Sequence, residues 1–286
     1  ILTQKQALQQ GHQNLVDDTN VAYYLEMRHH PSLEYARLIT DQFGRHRPDL
    51  SYSYSLLPLT ENHLRKIFNN LYTARFVVKN GFAARLGDRF ENTDQLLSLP
   101  NVPNGTYEFT NGKAYKVLSG GILKKLPANH ALYIFAPQRV QKFFNLGIEF
   151  NKIIEPFSKE QQLIPSRYAY FRDKNLYLMG QLIFNKNDPT LIQFIQKEYQ
   201  LQAASTILPY HPFEDLGPPV KKNGQIDIDF IRQNGLTIPD KMYLVLGDNH
   251  AMSGDSREFG FVPQENLRGK ASFLFWPPSK RWGLLL

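Results

Sequence analysis

The stretch YLVLGDNHAMSGDSR, Tyr243 to Arg257, continues as EFGFVPQENLRGKA to Ala271. Its apolar start, Met242 to Leu246, has the length and composition of a short strand. Gly247 then lets the backbone approach closely where any Cβ would intrude. Asp248 and Asn249 fold the chain back through Asx-type hydrogen bonds. Ser253 and Ser256 supply hydroxyls, and Asp255 and Arg257 stand two apart, so on an extended loop they point the same way and form a charge-assisted pair. On physics alone this is a polar turn between strands.

Upstream of it the texture alternates between helical and extended. Lys222-Asn223-Gly224 turns into Gln225 to Phe230, whose period of two predicts a strand. Asp188-Pro189 starts a helix through Leu191, Ile192, Ile195 and Tyr199. Tyr168 to Phe171 and Leu176 to Met179 flank a polar turn and predict a hairpin. Gly105 to Val117 predicts another, around Asn111-Gly112, a pair that tolerates the positive φ angles of a tight turn. The first hundred residues read mainly helical. Pro31-Ser32 opens a pattern with Leu33, Ala36, Leu38 and Ile39 that stops near Gly44. Thr60 caps a helix with Leu64, Ile67, Phe68, Leu71 and Tyr72 on one face, ended by Gly81. Thr93 caps a third, over Glu91 to Leu99. The expected class is α+β, with a helix-rich region over 1–100, a mixed β/α region over 101–215 and a β segment over 216–286.

Composition bounds what this fold can do. A chain of 286 residues with 42% hydrophobic and 21% charged residues buries a real core. It has no cysteine, which excludes disulfides and thiolate metal sites. The 33 Lys and Arg exceed the 26 Asp and Glu, giving a net charge of +7 that favours anionic surfaces. No run reaches the ~18 apolar residues that span a bilayer. His29-His30 with Glu34 lacks the HExxH pattern and reads as ordinary surface histidine. Leu118-Ser119-Gly120-Gly121 lacks the context of a phosphate loop, and no G-x-S-x-G elbow occurs. The positive charge is scattered without RNA-binding signatures, so nucleic acid is not an expected partner.

The order Gly247-Asp248-Asn249, then Ser253, then Asp255-Ser256-Arg257, then Gly260-Phe261-Val262-Pro263 resembles the last signature block of bacterial type I signal peptidases. Asn266-Leu267, Gly269 and Ala271 continue the resemblance, which is strong over Pro239 to Ala271. It implies that residues 216–286 belong to a β protease core. Residues 1 to about 215 would correspond to an unusually long form of the family's variable insertion. In that family a Ser hydroxyl attacks the scissile carbonyl, and a buried, neutral Lys takes its proton. Ser253 aligns with the hydroxyl that holds that lysine, Gly247 with the small residue packed beside it, and Asp255 and Arg257 with an ion pair that buttresses the loop.

Two departures stand out. His250 replaces the usual Arg after Gly-Asp-Asn. More severely, none of the four Met residues, Met27, Met179, Met242 and Met252, lies in a Ser-Met-x-Pro segment, and no Arg-rich segment ends in Pro-Gly-Asp. The dyad is absent from this chain, so the expectation is a C-terminal portion of a longer enzyme, inactive alone and completed by an N-terminal part of the same protein. The resemblance implies signal peptides of exported precursors as substrates, no metal or organic cofactor, and a catalytic domain on the outer face of the bacterial cytoplasmic membrane. Trp276, Lys280, Arg281 and Trp282 are expected to meet anionic phospholipid there. The rival readings are a non-catalytic peptide-binding or assembly module of the same fold, and a Ser-Lys self-cleaving repressor-type protease, whose pattern differs from Gly247 to Arg257.

Overall fold

The computed structural model describes residues 1–16, 21–29, 37–40, 44, 46–49, 53–73, 75–88, 90, 96–146, 169–178, 180–205, 210–217, 219, 221, 225–235, 237–246, 254–270, 272–274 and 283–284; at 37–39, 46–49, 257–258, 274 and 283–284 only the backbone is described. The class is α+β, with antiparallel sheets. The contacts divide into two compact units: Ile1–Phe68, Ser166–Pro239 and Val245–Phe261 form the first, and Asn69–Pro165, Asp240–Leu244 and Val262–Leu286 the second.

In the first unit, Tyr23–His29 pairs antiparallel with Leu2–Thr3 on one side and Ser53–Leu59 on the other. A second sheet is a meander of Ala169–Arg172, Asn175–Leu178 and Gln181–Phe184. Two helices carry the expected start signals. Asp188 caps Pro189–Ala204, its carboxylate accepting from the Thr190 N–H at 3.0 Å. Thr60 caps Glu61–Asn69, its hydroxyl accepting from the His63 N–H at 3.3 Å. That cap is closed from the other side by an unusual partner, because the Thr60 N–H donates to His63 Nδ1 at 3.2 Å. His63 thus does what Glu or Gln does in an ordinary capping box. An ordinary one lies at Thr3, where Thr3 and Gln6 bond reciprocally around the helix Gln4–Gln9, the Thr-x-x-Gln pattern of a capping box.

The second unit is built on a six-stranded antiparallel sheet. Its order runs Leu123–Lys125, Lys113–Val117, Gly105–Thr110, Phe76–Lys79, Phe82–Arg85, Leu97–Ser98. The helix Pro137–Leu146 buries Val140, Phe143 and Phe144, spaced as one helical face. Phe143 meets Phe76 and Phe109 with ring centroids 5.7 and 5.1 Å apart, an aromatic core of tilted and edge-on pairs. The expected hairpin turns at Asn111 and Gly112, with φ of 47° and 69°. A Cβ on Gly112 would stand 1.9 Å from the Asn69 carbonyl oxygen, so both the turn and the close approach require glycine there.

Several expectations are corrected. The first hundred residues are not helix-rich: among those described they hold eight strands and two helices. Arg37–Thr40 is a strand paired with His46–Asp49, and Gly44, with φ 76°, lies in the connection between them rather than ending a helix. Gly81 likewise belongs to the Asn80-Gly81 turn of the hairpin Phe76–Lys79 with Phe82–Arg85, and the helix after Thr60 ends at Asn69. Leu97–Ser98 is a strand, not the end of a helix, while the proposed cap Thr93 lies outside the described residues. Gln225 to Phe230 is no strand either. Asp227 accepts from the Phe230 N–H at 3.2 Å and caps a helix over Ile228–Asn234. An alternating run with Ile226 and Ile228 both exposed had no apolar surface to pack against, and the cap decided the conformation.

His63 also gives this fold a pH dependence. Its Nδ1 accepts from Thr60 and its Nε2 lies 2.9 Å from Asp188 Oδ2, so the neutral imidazole with the proton on Nε2 satisfies both nitrogens. Burial lowers its pKa below the ordinary histidine value, and the Asp188 carboxylate only partly offsets that. The unfolded chain therefore binds the proton first. Stability should fall as pH drops through about 6.5 toward the lower folded value. Chemical denaturation between about pH 8 and about pH 5 should show that slope in the wild type and a flatter one in His63→Gln. An unchanged slope in the variant would contradict this account.

Candidate active site

The signature block enters the structure through two local arrangements. In the second unit Met242–Tyr243 pairs antiparallel with Val262–Pro263, and the Gln264 N–H donates to the Lys241 carbonyl at 2.9 Å. In the first unit Val245 and Ser256 face each other. The Ser256 N–H donates to the Val245 carbonyl at 2.9 Å, and the Ser256 Oγ accepts from the Val245 N–H at 2.9 Å. One serine thereby satisfies both backbone groups of its partner and closes the neck of the loop between them. Beyond the neck the chain makes a short helix, Ser256–Phe259, with the Phe259 N–H bonded to the Asp255 carbonyl and the Gly260 N–H to that of Ser256. Asp255 is 3% exposed and Ser256 is 0% exposed.

Of the residues singled out from the sequence, the structure thus places Asp255 in a buried position beside the neck. Gly247 and Ser253 lie outside the described residues, as do the side chain of Arg257 and the whole of Trp276, Lys280, Arg281 and Trp282. From the sequence alone Ser256 is legible only as a hydroxyl. Its structural role had one legible signal, a small hydrogen-bonding residue directly after a buried acid where the loop returns to its strand.

The first unit also holds a polar cluster with no local signal in the sequence. Ser55 Oγ donates to Glu198 Oε2 at 2.6 Å and lies 2.8 Å from His29 Nε2. Glu198 also accepts from the Tyr210 hydroxyl at 2.8 Å and the Phe213 N–H at 2.9 Å. Burial pushes the Glu198 carboxyl up in pKa, while its hydrogen bonds from Ser55, Phe213 and Tyr210 pull it back. A serine between a histidine and a carboxylate invites comparison with a hydrolytic triad. Two facts speak against that role here. Ser55 is 0% exposed, and its proton points to Glu198 rather than to an imidazole base. The cluster is a tie between the strands Tyr23–His29 and Ser53–Leu59, the helix Pro189–Ala204 and the chain near Phe213. His29 is accordingly buried, not the surface histidine expected, while His30 and Glu34 lie outside the described residues. No group of His, Asp and Glu suited to a metal ion occurs among the described residues.

Comparison with known proteins bears on the block directly. Residues 171–276 match the family model described as signal peptidase, peptidase S26. This segment, rather than the whole chain, is similar to bacterial type I signal peptidases. It is 54% identical over 43 residues to signal peptidase IB of Staphylococcus aureus, which is 15% of this chain and 22% of that protein. With the probable signal peptidase I-2 of Synechocystis it shares 56% over 48 residues, 17% of this chain and 22% of the relative. The aligned part therefore spans about a fifth of these curated relatives. No solved structure matches the chain.

The neck of this signal peptidase-like block is open to a direct test. Ser256→Ala removes a buried acceptor from the Val245 N–H, and net losses for such bonds run at roughly 1–2 kcal/mol. Urea denaturation should show a loss of that size, with faster hydrogen exchange at the Val245 amide. A stability change within experimental error, with exchange unaltered, would show that the hydroxyl does not hold the loop.

Proposed function

We propose that this chain supplies the closing β segment of a type I signal peptidase, a serine endopeptidase that cleaves signal peptides from exported precursors. The observation that carries this reading is the signature block itself, Gly247 to Pro263, in a segment matched to the peptidase S26 family and closed at its neck by Ser256. In this reading Ser253, in the loop between Val245 and Ser256, holds the catalytic lysine in place, and Gly247 leaves room for that lysine's stem. Asp255 pairs with Arg257 to brace the loop; the burial of Asp255 supports this, since a buried carboxylate without a partner is costly.

Packing against apolar groups disfavours the ammonium form of the lysine, so the amine is neutral near physiological pH and takes the proton of the attacking serine. Both members of that dyad come from outside these 286 residues, because no Ser-Met-x-Pro segment and no Pro-Gly-Asp-terminated lysine segment occurs within them. The substrate lies extended against a sheet edge with small residues at the cleavage site. The reaction takes place at the outer face of the cytoplasmic membrane, where Trp276 and Trp282 settle at the lipid interface and Lys280 and Arg281 meet anionic headgroups. Among the described residues no helix is long and apolar enough to cross a membrane. The same lack of dyad segments favours one alternative, a module that retains the fold and binds peptides without cutting them.

The two readings separate on activity. The chain alone should leave a fluorogenic signal-peptide substrate uncut, and the complete enzyme should cleave it. There Ser253→Ala should lower kcat by about 10²–10⁴, the scale of losing a positioned general base, with the Tm unchanged. Cleavage by the chain alone, abolished by changing a Ser and a Lys within it, would overturn the assignment of the dyad. Wild-type kinetics for Ser253→Ala would overturn the role of that residue.

A further inference from the structure

Outside the segment matched to the signal peptidases, the second unit carries a surface whose chemistry is specific. The strands Lys113–Val117 and Leu123–Lys125 are joined by a tight turn over Ser119–Gly121. The turn is well made: the Leu118 N–H donates to the Ile122 carbonyl at 2.8 Å and the Gly121 N–H to the Leu118 carbonyl at 3.0 Å. This geometry holds three aliphatic side chains at the tip, Leu118 at 41%, Ile122 at 65% and Leu123 at 43% exposure. Leu123–Lys125 is also the edge strand of the six-stranded sheet, with all three residues exposed.

Lysines on an edge strand are commonly a guard against pairing with another chain. That accounts for Lys124 and Lys125 but not for three aliphatic groups beside them, which a guarded edge would avoid. The charge around the tip supplies the missing half. Residues 109 to 148 contain six Lys or Arg and no Asp or Glu. Arg75 reaches the turn as well, since a Cβ on Gly121 would stand 3.4 Å from its guanidinium, and the nearby acid Glu108 is engaged with Arg75 at 3.3 Å. An apolar tip on a predominantly basic stem, whose nearby acid Glu108 is paired with Arg75, complements an anionic lipid bilayer, whose surface attracts cations and whose interior accepts aliphatic groups. A protein partner would need acidic residues and an apolar pocket together. The lipid surface offers both without any shape requirement.

We propose that the hairpin tip Leu118, Ile122 and Leu123 inserts into an anionic lipid bilayer, with Lys124 and Lys125 meeting headgroup phosphates. The lysine stems reach along the apolar surface while their ammonium groups stay in the headgroup layer. This contact is independent of peptide cleavage and of the tail around Trp276 and Trp282.

The absence of cysteine makes the test direct, because Ser119→Cys gives the full chain one thiol for a polarity-sensitive fluorophore. Vesicles of phosphatidylcholine with phosphatidylglycerol should shift the emission of this label to the blue. The shift should weaken in high salt and be absent with phosphatidylcholine alone. Ile122→Ser with Leu123→Ser should lower affinity for the anionic vesicles by about tenfold or more. Both positions are exposed, so the Tm should hold. Three results would each overturn the proposal: vesicle binding with no change at the label, binding unaffected by the double substitution, or self-association through the hairpin without vesicle binding. The label arm decides the matter even if the double variant folds poorly.

Discussion

Two hydrogen bonds between Val245 and Ser256 close the neck of the signature block, and the proposed site is built on them. They are unusual in using one residue for both directions, with the serine amide donating and the serine hydroxyl accepting. A loop closed this way needs no long ladder at its neck, which fits a segment whose strands among the described residues, Met242–Tyr243 and Val262–Pro263, are two residues long. The hydroxyl is fully buried, so the bond is made where water does not compete. Asp255, one residue before, is buried too, and a carboxylate in that position calls for a cation. These constraints fix the chain at Asp255 and Ser256, where it returns to Val245.

The same economy recurs in the first unit, where buried polar groups do the joining. Glu198 gathers donors from Ser55, Tyr210 and Phe213 and so links residues far apart in sequence. His63 serves as helix cap on one nitrogen and as partner of Asp188 on the other. The second unit works differently, with an aromatic core of Phe76, Phe109 and Phe143 between sheet and helix. Each residue type is used for what its chemistry does best: polar side chains where backbone groups need partners, rings where volume must be filled.

How much of this was legible depends on how local the cause is. The Asn111-Gly112 hairpin, the Asp188-Pro189 helix start and the Thr60 cap were read correctly because each is decided within a few residues. Gly44 and Gly81 were misread for a physical reason: a glycine at positive φ ends a helix and turns a hairpin equally well, and only the pairing that follows tells which. Gln225 to Phe230 misled in the opposite way, since its alternation was real but had no surface to bury, and Asp227 was free to cap a helix. The His29, Ser55 and Glu198 cluster had no signal at all, as its members lie 26 and 143 residues apart. The signature block was legible as chemistry through resemblance, and through its pattern alone only as a turn.

The claim that the loop beyond Val245 serves a Ser/Lys protease site is tested most directly by one distance. In a crystal structure of the complete enzyme, Ser253 Oγ should lie about 2.6–3.2 Å from the Nζ of a lysine, which in turn reaches the nucleophilic serine. A Ser253 hydroxyl turned to solvent, with no lysine within hydrogen-bond reach of it, would contradict the account.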